Sequence, residues 1–336
     1  MRAVAVLLIA ASGCYTPTHA SDPPPPASRA VAAARSCPQP AIGERQPWRH
    51  KVGSSATSTL LGQAHHAVTD PVINPGSDAV IDGKFAYGTT SKDLEDEDVT
   101  IWLQTRPCGP WAPVAAARTD DDGKARFSVS AARVRQPGAY PFQAVVRGDL
   151  TRAYGTIFVV RRGTPAVVFD IDGTLTTSDL QLAAQIVLGD DPAMRDGADQ
   201  VARAYARAGF LPIYVSGRPY FLREASRDWL RRHRFPRGIL VTTDTLGESS
   251  PSEDGVGAFK LAQLESLENG AGVDIRYAYG NASTDVCAYA RAGIAPQATY
   301  IIGKHGGAHC GGYAPTVPLQ SYPGHLPSLR TLSAAR

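Results

Sequence analysis

The sequence has little net charge and no long apolar run. Its 34 basic and 31 acidic residues leave a formal net charge of +3 over 336 residues, which is too small to predict nucleic-acid binding from bulk electrostatics. The apolar stretch near its start, residues 3–11, is shorter than the roughly 20 residues that a membrane-spanning helix needs. With 43% hydrophobic and 19% charged residues, the composition is typical of a globular protein, and the length allows two domains.

The first residues predict an export signal rather than part of the fold. A positive start and a short apolar run precede small residues and Cys14, which resembles a bacterial lipoprotein cleavage site. On this interpretation residues 1–20 are the signal, Cys14 is lipidated, and the protein is anchored at a membrane surface of a bacterial cell envelope. The alternative is a secretory signal cleaved after Ala20. Residues 21–68 are predicted to form a Pro/Ala/Ser-rich tether and an irregular segment.

Four cysteines remain once Cys14 is set aside. An even number in an exported chain permits disulfides, and we predict the pairs Cys37–Cys108 and Cys287–Cys310, each within one domain. Four cysteines allow three pairings, and free buried thiols are the alternative.

Residues 69–163 are predicted to form a small β-sandwich. Short runs rich in β-branched and aromatic residues are separated by Asp, Gly and Pro turns: residues 79–81, 99–103, 125–129, 142–146 and 156–160. The acidic run at 120–122 has a calcium loop as its alternative. It lacks the later ligands and the closing Glu of such a loop, so a hairpin turn is favoured.

From residue 164 the pattern changes to strands that alternate with helices. The apolar runs are 166–169, 211–215, 239–241, 277–279 and 299–302, and the helical patterns are 193–208, 221–233, 259–267 and 285–292. Continuous apolar runs are typical of strands buried on both faces of a parallel sheet. Residues 164–336 are therefore predicted to be an α/β domain with a Rossmann-like parallel sheet. The active site of such a domain lies past the carboxyl ends of the strands.

Polar residues follow the predicted strands at that edge. Asp170 and Asp172 end the first strand, and because unpaired buried charge is costly, a divalent cation is expected beside them. The other candidates share a place just after a strand or at the start of a helix: Gly173, Thr174, Ser216, Gly217, Lys260, Asn281 and Asp285.

In this order the motifs resemble the four-motif signature of haloacid dehalogenase-type phosphatases. The resemblance implies phosphoryl transfer through an aspartyl phosphate, with Asp170 as nucleophile and Asp172 as acid and base. It implies Mg²⁺ held by Asp170, the backbone carbonyl of Asp172, and Asp285. Ser216 and Lys260 would bind the transferring phosphoryl oxygens.

Gly173, Thr174, Gly217 and Asn281 complete the phosphate-binding set that the resemblance implies. Taken singly, Ser216, Lys260 and Asn281 have a purely structural role as the alternative. For Asp285 the alternative is a charge that only stabilises a helix N-terminus.

Residues 165–307 resemble the lipin-type phosphatidate phosphatase domain in particular. The segments that carry this likeness are 170–179, 259–260, 280–281 and 285–289. The middle of the domain is more similar to the related domain of retinal degeneration B-type phosphatidylinositol transfer proteins, at 214–219, 229–230, 235–238 and 299–303. In that group the resemblance implies phosphatidic acid binding after loss of a catalytic aspartate. This chain keeps both Asp170 and Asp172, but has Ala282 where lipins usually carry Arg.

The sequence therefore favours a Mg²⁺-dependent phosphatase that acts on phosphatidic acid or a related phospholipid at a membrane. The short spacing between the first two motifs leaves little room for a large cap domain, and an open site suits a membrane-embedded substrate. Two alternatives stay open: a phosphatidic-acid-binding module with little turnover, and a phosphatase of another exported phosphomonoester. No nucleic-acid partner is expected.

Two further clusters in the sequence have weaker interpretations. His305, His309 and Cys310 have the residue types of a zinc site, but the glycines between them favour an ordinary loop. The basic residues 231–234 are predicted to be a solvated helix end, with anionic lipid as an alternative partner.

Overall fold

The computed structural model describes residues 39–49, 62–88, 91–177, 192–244, 248–250 and 252–332. All of them belong to one unit that begins at Pro38. The predicted lipidation at Cys14 and the predicted Cys37–Cys108 pair involve residues outside the described ranges.

The first part of this unit is a β-sandwich, which confirms the predicted architecture. One sheet has the strand order β1-β3-β8, the other has the order β2-β10-β9-β6-β7, and β4 and β5 form a separate hairpin. The strands are β1 (Ala67–Val68), β2 (Val72–Ile73), β3 (Ala79–Lys84), β4 (Ala86–Tyr87), β5 (Lys92–Asp93), β6 (Asp98–Gln104), β7 (Trp111–Arg118), β8 (Lys124–Val129), β9 (Gly138–Val146) and β10 (Arg152–Val159). Buried and exposed positions alternate along β3 and β8, as expected for strands with one face on a core.

Strand β7 is not among the predicted strands. Its sequence is rich in alanine and contains Pro113, and Val114 is its one β-branched residue, so the composition that marks a strand is weak. It lies at the edge of its sheet, where proline is tolerated because the outer N–H groups need no partner strand.

The second part is an α/β domain, again as predicted. Six strands in the order β13-β12-β11-β14-β15-β16 form one sheet, and every neighbouring pair is parallel. The strands are β11 (Pro165–Asp170), β12 (Leu211–Pro219), β13 (Ile239–Thr243), β14 (Asp274–Gly280), β15 (Thr299–Ile302) and β16 (Val317–Leu319). The α-helices of the described residues are α1 (Ala198–Arg207), α2 (Arg223–Arg232), α3 (Ala258–Ser266), α4 (Ser283–Arg291) and α5 (Tyr322–His325).

The central strand β11 is buried on both faces. Val167 and Phe169 pack into one apolar cluster with α1, whereas Ala166 and Val168 pack into another with α3. Because successive side chains of a strand point to opposite faces, this alternation explains why the sequence run is continuously apolar.

A buried carboxylate links the two domains. Asp70, in the connection between β1 and β2, accepts hydrogen bonds from the backbone N–H of Leu240 in β13 at 3.1 Å and of Thr156 in β10 at 2.8 Å. Asp70 also forms an ion pair with Arg227 of α2, whose Nη1 lies 3.1 Å from Asp70 Oδ2. The sandwich thus contacts the β13 edge of the parallel sheet, and Ser91 also reaches Tyr220, directly after β12.

One predicted disulfide is confirmed, between Cys287 in α4 and Cys310 in the segment that follows β15. The two cysteines are buried against Val286 and Ile301. The two cysteines are 23 positions apart in the sequence. The bridge therefore fixes the segment after β15 to α4, the helix that follows β14.

Replacing both Cys287 and Cys310 with alanine should lower the free energy of unfolding by about 3 kcal/mol. A cross-link over this separation restricts the unfolded chain by about that amount in the chain-entropy model. Urea unfolding of the double variant against the parent protein, without reductant, measures the change. An unchanged midpoint would show that the bridge contributes nothing to stability.

Candidate active site

The site lies where the central strands of the parallel sheet end. Asp170 is the last residue of β11 and is paired with Val215 of β12, so Ser216 follows at the same edge. On the other side Phe169 is paired with Tyr279, which places Gly280 beside Asp170. The structure thus brings the ends of three strands to one edge, as expected for the carboxyl ends of strands in a parallel sheet.

Asp170 is buried, with 3% of its surface exposed, and both of its oxygens have partners. Oδ1 accepts a hydrogen bond from Lys260 Nζ at 2.6 Å, and Oδ2 accepts one from the Thr174 hydroxyl at 2.8 Å. Lys260 lies in the first turn of α3, and its Nζ also donates to Asp285 Oδ1 at 2.5 Å. One ammonium group is therefore shared by two buried carboxylates.

The charges of this cluster shift its proton affinities. Burial raises the pKa of Asp170 to about 7, an effect that Lys260 opposes and that the carboxylates of Asp285 and Asp172 reinforce. Burial alone would lower the pKa of Lys260, but the two carboxylates outweigh it and hold that pKa above its ordinary value. The pKa values of Asp170 and Lys260 are thus both raised, as expected for a buried cluster with more carboxylates than cations. Lys260 stays charged in this cluster.

Asp285 is held by the start of α4 as well as by Lys260. Its Oδ2 accepts hydrogen bonds from the backbone N–H groups of Asn281 and Ala282, both at 3.0 Å. The role as a helix N-terminal charge and the place in the site are therefore compatible. The same turn brings Asn281 Oδ1 to 3.0 Å from the Thr174 hydroxyl.

Asp172 belongs to a second buried charge pair. Arg218 donates to it through Nε and Nη2, with the shortest contact 2.7 Å from Nη2 to Oδ1. The Ser216 hydroxyl donates to Oδ2 at 2.9 Å. Arg218 is only 1% exposed, and its Nη1 donates to Ser226 in α2, so the guanidinium is fixed from both sides.

The loop between Asp170 and Thr176 depends on glycine and on distant supports. Gly173 has a φ of +77°, which residues with a side chain rarely adopt, and its N–H donates to the Thr176 hydroxyl. Two contacts hold the loop from outside: Arg195 Nε donates to the Gly173 carbonyl at 2.9 Å, and the Tyr322 hydroxyl of α5 donates to the Thr174 carbonyl at 3.1 Å.

The structure brings most of the sequence candidates together. Those linked by direct contacts are Asp170, Asp172, Thr174, Ser216, Lys260, Asn281 and Asp285. Gly217 packs closely against the turn that precedes α3. A Cβ atom at position 217 would lie 2.6 Å from the Val256 side chain. The two side chains predicted to bind phosphoryl oxygens have different partners. Ser216 donates to Asp172, whereas Lys260 donates to Asp170.

Sequence reasoning missed Arg218 and Tyr322 as members of the site. Arg218 had a signal, because it lies two residues after Ser216 at a strand end, where a buried cation needs a carboxylate partner. Tyr322 had none, since it lies 148 residues from Thr174 and only the fold brings α5 to the loop.

The donor set beside Lys260 suits a hard cation. Asp170 and Asp285 present carboxylate oxygens on either side of one positive charge, and such oxygens are what Mg²⁺ prefers. Within the described ranges no group of three or more His, Cys, Asp or Glu side chains is arranged to hold a metal, so backbone carbonyls and water would have to complete the coordination. The zinc interpretation of residues 305–310 loses a ligand, because Cys310 is in the disulfide.

These features define a haloacid dehalogenase-type α/β domain preceded by a β-sandwich. Family comparisons agree: residues 167–303 match the LNS2 domain of PITM 1-3 proteins, and residues 64–159 match the β-sandwich domain of the same proteins. The chain belongs to this PITM and retinal degeneration B family through both of its domains.

Individual relatives show the same relationship. The chain is 33% identical to membrane-associated phosphatidylinositol transfer protein 1 of Rattus norvegicus, over 80% of this chain and 21% of that protein. It is 32% identical to the protein retinal degeneration B of Drosophila melanogaster, over 87% of this chain and 22% of that protein. The chain thus spans about a fifth of the length of these relatives. Among solved structures, a HAD-like phosphatase from Mesorhizobium loti aligns with 60% of this chain and 98% of its own at 17% identity, with a TM-score of 0.38, a likeness too distant to carry a functional argument.

The predicted localisation as a bacterial envelope lipoprotein is wrong. The relatives that share both domains are membrane-associated phosphatidylinositol transfer proteins of mammals and a Drosophila homologue, not bacterial lipoproteins. The signal rested on one short apolar run before Cys14, and such a pattern carries far less information than two matched domains. In the described part of the chain, no helix has the length and apolarity to cross a bilayer.

Replacing Asp170 with asparagine should stabilise the metal-free protein, and more so at high pH. The folded-state pKa of Asp170 is raised to about 7, so between about pH 4 and 7 the folded protein binds a proton that the unfolded chain releases. Stability from this group therefore falls as pH rises through that window. We expect the stability gain of Asp170→Asn over the parent to grow by about 2 kcal/mol between pH 5 and 7.

Urea unfolding in chelator at pH 5 and pH 7 measures that gain. Asp228→Asn in α2, an exposed carboxylate, is the matched control and should shift stability equally at both values. A gain for Asp170→Asn that is the same at both pH values would contradict the assigned shift.

Replacing Arg218 with methionine should destabilise the protein by about 3–5 kcal/mol. The change leaves Asp172 buried without its cation, which is the costly way to break a buried pair. Arg218→Lys should cost less, because it keeps the charge but loses the two-pronged contact. Arg231→Met, at an arginine side chain that is 74% exposed, should cost close to nothing. If Arg218→Met is no more costly than that control in urea unfolding, the pair is not structural.

Proposed function

We propose that this protein is a Mg²⁺-dependent phosphomonoesterase that works through an aspartyl phosphate, with phosphatidic acid or a related phospholipid as substrate. The observation that carries the proposal is the setting of Asp170. It ends the central strand, is oriented by Lys260 at 2.6 Å and Thr174 at 2.8 Å, and is followed two residues later by a second carboxylate.

Asp170 is the nucleophile in this mechanism. Lys260 keeps its carboxylate aimed at the catalytic edge, and when the phosphoryl group arrives the same ammonium can bind a phosphoryl oxygen. Attack by Asp170 on phosphorus forms the acyl phosphate and expels the substrate's alkoxide oxygen. Bound Mg²⁺, with Asp170 and Asp285 as ligands, would neutralise charge on the nucleophile and the phosphate.

Asp172 handles the protons of both steps. It would give a proton to the leaving oxygen and later take one from the water that hydrolyses the acyl phosphate. Arg218 and Ser216 occupy its oxygens in the structure described above, so at least one of these contacts must exchange for the substrate or water during turnover. Ser216 is the simpler one to exchange, because a hydroxyl can rotate toward a phosphoryl oxygen.

Two observations support a phospholipid as the substrate. The matched relatives are named membrane-associated phosphatidylinositol transfer proteins, and the sequence around Asp170 resembles lipin-type phosphatidate phosphatases.

A lipid-binding module with little turnover is the second candidate. It is favoured by one feature, the complete occupation of Asp172 by Arg218 and Ser216. If that contact never opens, the domain would bind a phosphate headgroup without releasing phosphate.

Phosphate release from phosphatidic acid in mixed micelles separates these functions. With Mg²⁺ the full chain should release phosphate, chelator should abolish release, and Asp170→Asn should lower kcat by at least about 1,000-fold, as loss of a nucleophile does. Asp228→Asn, an exposed carboxylate, is the matched control and should keep the parent rate.

Three results would contradict the proposal in different ways. Turnover of an aryl phosphate without turnover of the lipid would keep the mechanism and exclude the substrate. Binding of phosphatidic acid without any phosphate release would support the binding module. Full activity of Asp170→Asn would exclude Asp170 as the nucleophile.

A further inference from the structure

Acidic residues are unevenly distributed along the chain. No Asp or Glu occurs after Asp285, although the last 51 residues contain Arg291, Lys304, Arg330 and Arg336. The residues before them contain one more acidic than basic residue, so the excess positive charge of the whole protein comes from this final segment.

Part of that segment lies beside the catalytic edge. Strand β15 is parallel to β14 with Gly280 opposite Ile301, and β14 is parallel to β11 with Tyr279 opposite Phe169. Neighbouring strands are about 4.8 Å apart. The chain therefore leaves β15 at the level of Asp170 and about 10 Å to one side of it, and enters the β15–β16 loop, residues 303–316.

The β15–β16 loop combines cationic and aromatic groups without an acid. Lys304 and His309 are exposed, His305 is partly exposed, and Tyr313 has 46% of its surface in solvent, among the highest values for a large apolar side chain in the described ranges. The Cys287–Cys310 bridge ties the loop to α4 two residues after Asp285. The loop is thus held in place relative to the catalytic edge rather than left to move independently.

Acidic side chains on the neighbouring elements have cationic partners. Asp244, after β13, lies 3.8 Å from Arg223, and Glu253, before α3, lies 2.9 Å from Arg291 of α4. The β15–β16 loop itself contains Lys304 and no acidic residue.

We propose that the β15–β16 loop is the surface through which this protein docks on an anionic lipid bilayer. A negatively charged surface attracts Lys304, and the loop has no acidic residue that such a surface would repel. Tyr313 is of the residue type that favours the interface between headgroups and acyl chains. Docking on this side presents the catalytic edge to the bilayer at a fixed tilt.

The other basic cluster faces the wrong way for this task. Helix α2 begins at Arg223, just after the carboxyl end of β12, and runs back so that the chain can enter β13 at its amino end. Residues 231–234 therefore lie at the opposite edge of the sheet from Asp170. A protein docked through them would hold the site away from the lipid.

Vesicle co-sedimentation tests the docking surface without any turnover. The full chain in chelator is mixed with vesicles of phosphatidylcholine, with or without phosphatidylserine, which has no phosphomonoester for the site. We expect stronger binding with phosphatidylserine that weakens with salt. Lys304→Glu should lower the partition coefficient at least about fivefold, since each cation near the surface is worth about that factor. Tyr313→Ser should also lower it.

Arg231→Glu is the matched control and should leave vesicle binding within about twofold of the parent, by the same electrostatic argument. Equal urea midpoints for all variants exclude unfolding as the cause of a loss. Equal binding to both kinds of vesicle, or a loss in Arg231→Glu as large as in Lys304→Glu, would overturn the proposal. The docking surface serves the proposed phosphatase, but this test reads binding alone, so a protein that docks without releasing phosphate would refute only the proposed function.

Discussion

The position of one ammonium group sets the geometry of the site. Lys260 Nζ donates to Asp170, at the end of β11, and to Asp285, in the first turn of α4; both carboxylates are buried. Two carboxylates taken out of water and facing one another would repel strongly. The lysine reduces that repulsion but does not remove it, so the carboxylates of Asp285 and Asp172 add to the burial that raises the pKa of Asp170. The two carboxylates carry more negative charge than one ammonium compensates, so a further cation would stabilise the cluster.

A second ion pair gives Asp172 a different environment from Asp170, two residues away. Arg218 contacts both oxygens of Asp172 and is itself fixed by α2. Two carboxylates in adjacent positions with different partners are what a reaction with separate nucleophile and acid–base roles requires. The same pair also limits the chemistry, because Asp172 can exchange protons with substrate only when one of its contacts opens.

The surroundings of the sheet leave one edge for function. The sandwich covers β13 through the buried carboxylate of Asp70, and α5 supports the catalytic loop through Tyr322. Beside the catalytic edge lies the disulfide-tied β15–β16 loop, which contains Lys304 and no acidic residue. That loop gives the proposed membrane-facing orientation a physical basis in the charges of the chain.

The sequence by itself determined the two-domain organisation, the parallel sheet and most of the candidate site, because apolar runs and the residues after them are local patterns. It also indicated the Cys287–Cys310 pair, but its short N-terminal pattern gave the wrong localisation. Only the tertiary structure decided that Arg218 pairs with Asp172, that Tyr322 supports the loop, and that β7 is a strand. Those features depend on contacts between distant segments or on an edge position in a sheet, and such contacts leave no periodic trace in the sequence.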